Sequence, residues 1–222
     1  MNVLLVLAHP EPKSFNGAMA RVAEQTLSAA GHEVVISDLY RMGFDPRSTR
    51  ANFTTVKDAD YFKPQIEEMH ATEVGGFSPE LEAEMRKLEG CDLMIWQFPL
   101  WWFGLPATLK GWVDRVFAKG RFYGNGLVYE TGPKKGKRAM LSLTTGGLAA
   151  SYAKDGYNGN IEAILRPIHR GMFQFIGFDV LRPQIVYGPV RLTDEQRAKE
   201  LDAWRKRLSG ITVERPMEVG RY

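Results

Sequence analysis

Residues 92–117 read DLMIWQFPLWWFGLPATLKGWVDRVF. The run Leu93-Met94-Ile95-Trp96-Gln97-Phe98 is short, almost continuously apolar and closed by Pro99. That is the pattern of a strand buried on both faces of a parallel sheet. Leu100-Trp101-Trp102-Phe103-Gly104 follows where such a strand hands over to a helix, and Pro106 stands where helices favour proline, near the start. Leu109, Trp112, Val113, Val116 and Phe117 then recur at helical spacing. Three large aromatic residues exceed what a plain connection needs. In open α/β sheets ligands bind at the carboxyl ends of strands, where this loop lies. The rings either fill core beneath the loop or wall a flat, apolar, π-rich ligand.

Working outward, apolar strand runs recur at 3–8, 33–39, 138–143 and 179–186, separated by helical patterns at 17–30, 78–90, 161–175 and 193–208. Strands alternating with helices five times predict an α/β fold with a doubly wound, five-stranded parallel sheet. Residues 40–78 form a long excursion with one short helix near 64–70, and an excursion of that length is usually functional or an interface element. Ser78-Pro79, with Glu80 and Glu82, predicts a capped helix start, and Thr193-Asp194-Glu195-Gln196 predicts a capping box. One domain spans 1–209. Residues 210–222 read as a C-terminal tail with little to pack, able to move.

The 222 residues, 44% of them hydrophobic, suffice for one sizeable core. A net charge of +3 and a pI near 8.9 are mild, arguing against a nucleic-acid binder. The densest basic run, Lys134-Lys135-Gly136-Lys137-Arg138, reads as a solvated turn. Cys91 is the only cysteine, so no disulfide forms within the chain, and beside a buried strand it reads as an inert packed thiol. His9, His32, His70 and His169 show no metal-ligand spacing. The N-terminal run reads as a first strand rather than a signal peptide, and no apolar run approaches the ~20 residues of a membrane span. A soluble cytoplasmic protein is expected.

Two further loops follow strands. After the first, His9-Pro10-Glu11-Pro12-Lys13-Ser14-Phe15-Asn16-Gly17 leads into a helix for which Ser14 or Asn16 is a suitable N-cap, and an exposed helix N-terminus there would receive an anion. Neither Gly-x-Gly-x-x-Gly nor a Walker motif occurs, so a dinucleotide fingerprint and a P-loop are both unsupported. After the fourth strand run, Thr144-Thr145-Gly146-Gly147 offers hydroxyl donors and close backbone approach. Alone, His9 reads as a structural histidine and the Thr/Gly run as a turn. In the flavodoxin-like strand order 2-1-3-4-5, however, strands one, three and four are neighbours, so the three loops converge. An anion site, an aromatic wall and a hydrogen-bonding edge match the phosphate, tricyclic ring and pyrimidine edge of a flavin nucleotide.

With LAHPEPKSFN at 7–16, SDLY at 37–40, QFPLWWFGLPATLKGWVDRVF at 97–117, LSLTTGG at 141–147 and GFDVLRPQ at 177–184, the chain resembles the NAD(P)H:quinone acceptor oxidoreductase family (the DT-diaphorase type) from about residue 3 to residue 208. The resemblance implies a homodimer that holds FAD, with FMN the lesser alternative, and moves hydride from NADH or NADPH to a quinone. It implies that His9, Ser14, Phe15 and Asn16 meet the phosphate and ribityl part, and that Pro99, Leu100, Trp101, Trp102 and Phe103 line the ring. Thr144, Thr145, Gly146 and Gly147 would meet the pyrimidine edge, Arg197 the adenosine half. Tyr152, with Asn158, would be catalytic beside the flavin, and Trp102, Phe103, Tyr123, Asn125 and Phe175 would border the substrate pocket, some from the partner subunit. Animal members differ: a histidine in place of Asn158, a glutamine in place of Trp101, and a C-terminal extension. Rivals on the same scaffold are an azo- or nitroreductase, a flavin-binding regulatory subunit docked on a membrane ion-efflux transporter, and a flavodoxin-type electron carrier. The basic pI and roomy aromatic pocket count against the last.

Overall fold

Alternation along each strand decides which core its side chains join. In the computed structural model, which describes residues 1–220, β1 (Asn2–Leu7), β2 (Glu33–Asp38), β3 (Leu93–Pro99) and β4 (Arg138–Thr145) lie parallel in the order β2-β1-β3-β4. Leu4, Val6, Trp96, Phe98, Leu141 and Leu143 face one core, and Val3, Leu5, Ile95 and Met140 face the other. The first core is closed by α3 (Pro79–Gly90), α4 (Ala107–Val116) and α5 (Ile161–Ile168); α1 (Phe15–Ala29) and α6 (Asp194–Ser209) close the second. Every residue of β3 is buried, as its unbroken apolar run requires. Trp96 packs edge-on to Trp112 and Phe173, with each such fully buried ring contributing ~2–3 kcal/mol.

The expected fifth strand at 179–186 is divided. β5 (Asp179–Val180) pairs with the start of β4 and β6 (Gln184–Tyr187) with its end. Pro183 lies between them and has no N–H for the ladder. The tail packs more than expected: Ile211 and Val219 are buried, the Met217 N–H donates to Val180 O at 2.8 Å, and Arg138 Nη1 donates to Ile211 O at 2.8 Å. The last two residues of 210–222 lie outside the described ones.

Other expectations also change. The helix at 161–175 is α-helical only to Ile168, then runs on as a π-helical turn (His169–Phe173) and a 3₁₀ turn (Gln174–Ile176). Pro167 removes one helical donor and crowds the preceding turn. Ser78 stands at the start of α3 but, among the described residues, its buried hydroxyl has no hydrogen-bond partner, so Pro79 and the first-turn carboxylates open that helix without a side-chain cap. Lys134 is buried rather than solvated: its ammonium donates to Leu88 O, Glu89 O and Cys91 O, closing the carboxyl end of α3. The excursion 40–78 is ordered around α2 (Pro64–Val74), longer than expected. There the buried Glu67 accepts from the Lys57 and Asp58 N–H groups, and Glu68 from that of Lys119. Pro46 presses on α4 so closely that a Cβ at Gly111 would lie 2.3 Å from its Cα.

Candidate active site

The loops after β1, β3 and β4 meet at one edge of the sheet, and a buried polar chain ties them together. Gln97 donates to Asn16 Oδ1 at 2.8 Å, and Asn16 donates to Thr144 Oγ1 at 2.9 Å. Asn16 is only 3% exposed, so its side chain braces the site from within. Ser14, not Asn16, caps α1 by accepting from the Gly17 N–H at 3.1 Å. The N–H groups of Phe15 and Asn16, in the first turn, have no acceptor within the helix.

Two hollows open here. One, of about 610 Å³, lies between the start of α1 and α6, with His9, Lys13, Ser14, Phe15 and Arg197 among its walls. The other, of about 430 Å³, is walled by Leu100, Trp101, Trp102, Thr145 and Gly146. Pro99, Thr144, Pro189 and Val190 line both, which makes them one trough. Lys13 and the α1 terminus make the first hollow cationic at one end, while the Arg197 charge is paired with Asp194 in the same wall. Arg197 is held in the wall by Pro189 O, Leu192 O and Asp194. His9 Nδ1 lies 3.0 Å from the Glu11 nitrogen and 3.2 Å from Glu11 O, which holds the ring against that turn. Burial lowers the His9 pKa, against smaller raising effects from Glu11, so the ring is neutral at pH 7.

In the loop after β3, Trp102 and Phe103 have φ of +50° and +58°, and the Gly104 N–H closes on Trp101 O at 2.9 Å. Left-handed backbone at two bulky residues is costly and clusters at functional sites. The turn holds Trp102 97% exposed and sets Trp101 with its ring centroid 6.3 Å from that of His9. At the end of β4, two residues beyond the expected strand run of 138–143, Thr145 Oγ1 donates to Gly147 O at 2.8 Å. A Cβ at Gly146 would meet nothing within 4 Å, whereas one at Gly147 would lie 3.0 Å from both Asn158 Nδ2 and the Tyr152 ring. Tyr152 and Asn158 therefore back the glycine loop together. The trough offers phosphate donors at one end and, over Gly146, an open slot beside aromatic and apolar walls. A flavin fits that donor set.

The profile of the family described as "Flavodoxin-like fold" matches residues 1–208. Rat ribosyldihydronicotinamide dehydrogenase [quinone] is 45% identical, the match covering 97% of this chain and 94% of that protein. Rat NAD(P)H dehydrogenase [quinone] 1 is 44% identical, over 96% of this chain and 78% of that protein. A solved structure from Klebsiella pneumoniae, named as a candidate quinone reductase, superposes with a TM-score of 0.94 at 40% identity, covering 97% of this chain and 86% of that one. The chain belongs to the NAD(P)H:quinone oxidoreductase family of the flavodoxin-like fold.

Residues implied to border the substrate pocket are not all together in one chain. Among the described residues, Tyr123, Asn125 and Phe175 do not line the trough; Tyr123 and Phe175 meet with ring centroids 5.7 Å apart and planes tilted by 52° in a separate hollow of about 200 Å³ beside α4. Asn125 lies in the intervening loop with φ of +53°. Phe103 is half exposed on the strained turn, outside the lining of both hollows. Pro189, Val190 and Asp194 also line the trough, in addition to the residues expected from the sequence. Their signal was available: Gly188-Pro189 follows the last strand at the same sheet edge. Among the described residues, no helix is long and apolar enough to cross a membrane, and no three His, Cys, Asp or Glu side chains are grouped to hold a metal ion.

Proposed function

We propose that this chain is an FAD-dependent NAD(P)H:quinone oxidoreductase, with hydride donor and quinone using one site in turn. The observation that carries the reading is the single trough formed by the three strand-end loops. Bound FAD would supply the hydride transfer chemistry, and the protein supplies orientation and electrostatics. His9, Lys13 and the first N–H groups of α1 would hold the phosphates. Leu100, Trp101 and Trp102 would pack on the ring, with Thr144, Thr145 and Gly146 along its polar edge. The Tyr152 hydroxyl would donate where negative charge gathers on reduction. Asn158 can donate through its amide but cannot exchange a proton near neutral pH. FAD is favoured over FMN because the first hollow runs on past the α1 terminus to Arg197, Ala198 and Leu201, leaving room for an adenosine half.

The same reading makes the protein a cytoplasmic homodimer. A lone free cysteine suits a reducing compartment. The separate aromatic hollow of Tyr123 and Phe175 would complete a partner's trough across an interface above ~1,000 Å². Purified protein should be yellow and release FAD on denaturation at about one per chain, identified by absorbance and chromatography. A colourless protein that takes up no added flavin rejects the reading. Turnover of a soluble quinone with NADH, NADPH or ribosyldihydronicotinamide then identifies the donor, and light scattering that finds a fully active monomer rejects the dimer.

A further inference from the structure

Tyr152 lies on a 3₁₀ turn, Ala149–Tyr152, inside a loop whose first residues are exposed. No hydrogen bond among the described residues fixes its hydroxyl, yet the side chain is only 7% exposed. Its direction is therefore set by packing. One side of the ring rests against Gly147, where any side chain would collide with it. On another side stands Tyr187, at the end of β6, with ring centroids 5.9 Å apart and planes at 41°. Tyr187 is well anchored: its Cα is in register with that of Thr145, the next residue's N–H donates to Thr145 O at 2.9 Å, and its ring packs on the first core.

We propose that Tyr187 is the positioning residue for Tyr152, a rigid strand residue whose ring holds the Tyr152 phenol toward the glycine loop. Active-site groups need such support from locked neighbours on regular elements, and loops supply it poorly. Burial, and then the neighbouring Tyr152 phenol, raise the Tyr187 pKa above its ordinary value, so the contact stays uncharged through the neutral range. The inference rests on the flavin reading above.

The test compares Tyr187→Phe, Tyr187→Leu, Tyr152→Phe and the Tyr152→Phe/Tyr187→Leu double variant in the flavin-loaded protein. Single-turnover flavin reduction, the visible spectrum of bound flavin and flavin affinity are read for each. Tyr187→Leu should slow reduction by up to ~100-fold, the scale of a misplacement of about 1 Å, and should shift the bound-flavin spectrum. Tyr187→Phe keeps the ring and should restore both. The double variant should be no slower than Tyr152→Phe alone, because a residue acting through Tyr152 has nothing left to position. If Tyr187→Leu fails to fold, Tyr187→Met fills similar space without a flat face and takes its place. Wild-type rate and spectrum in that variant, or an undiminished further loss in the double variant, overturns the inference and leaves the flavin reading standing. Failure of the wild type to bind flavin removes both.

Discussion

Trp102 carries a cost that its surroundings do not repay in the isolated chain. Its backbone is left-handed, and its ring, 97% exposed, packs on almost nothing. A left-handed residue with a side chain costs ~1–2 kcal/mol relative to glycine. Trp102→Gly should therefore raise the stability of flavin-free protein by about 1 kcal/mol while weakening flavin binding. A melting temperature that falls in the flavin-free variant would show that the turn is not strained. Asn158 invites a different test. It shares the back of the glycine loop with Tyr152, and an amide has no ionisation near neutrality. His9, the histidine that lines the trough, is lowered by burial and titrates toward acid. Single-turnover reduction should then be nearly flat between about pH 6.5 and 8, and Asn158→His should bring in a transition near histidine's ordinary ~6.5. A strong wild-type transition in that range, unchanged in Asn158→His, means another group governs the proton.

Among the elements, those legible in the sequence were those with one dominant local signal. The apolar run of β3 and the capping box of α6 were found where their residues indicated, and the Thr144-Thr145-Gly146-Gly147 run stands at the end of β4 with its two threonines inside the strand. Elements whose structure depends on distant partners were not legible. Glu67 and Glu68 look like surface charges on a short helix until the backbone N–H groups they accept from, in other segments, are known. Lys134, in a basic run, gives no local hint that three carbonyls at the end of α3 await it. In the site, the positions of Ser14 and the glycines were readable, but the inward turn of Asn16 depends on Gln97 and Thr144, far away in sequence. Lys134→Met tests the helix-end role. It leaves buried carbonyls unpaired, and at 1–3 kcal/mol for such a loss the fold should weaken by about 3 kcal/mol, lowering Tm by roughly 10 °C. An unchanged Tm would return Lys134 to the status of an ordinary turn residue.

For the whole molecule, acid sensitivity follows from one buried imidazole. His169 is 3% exposed on the π-helical turn, and among the described residues its Nε2 has no hydrogen-bond partner. Burial lowers its pKa from 6.5 to about 4. Above 6.5 the ring is neutral whether the chain is folded or not, and stability is complete. Between 6.5 and about 4 the unfolded chain takes up a proton that the folded one refuses, so stability falls with pH, and below about 4 the loss is complete. At 1.36 kcal/mol for each pH unit crossed, the loss is about 3 kcal/mol. Glu67, Glu82 and Asp92, all with lowered pKa values, destabilise in the same sense but only below the ordinary carboxylate range. Glu68, raised by burial, works in the opposite sense above that range and reduces the slope. His169→Phe removes the titrating nitrogen and keeps a ring of similar size beside Phe173. Urea unfolding at pH 7.5 and pH 5 should show wild-type stability dropping between the two, with most of that drop absent in His169→Phe. Equal drops in both proteins would place the acid-sensitive group elsewhere in the fold.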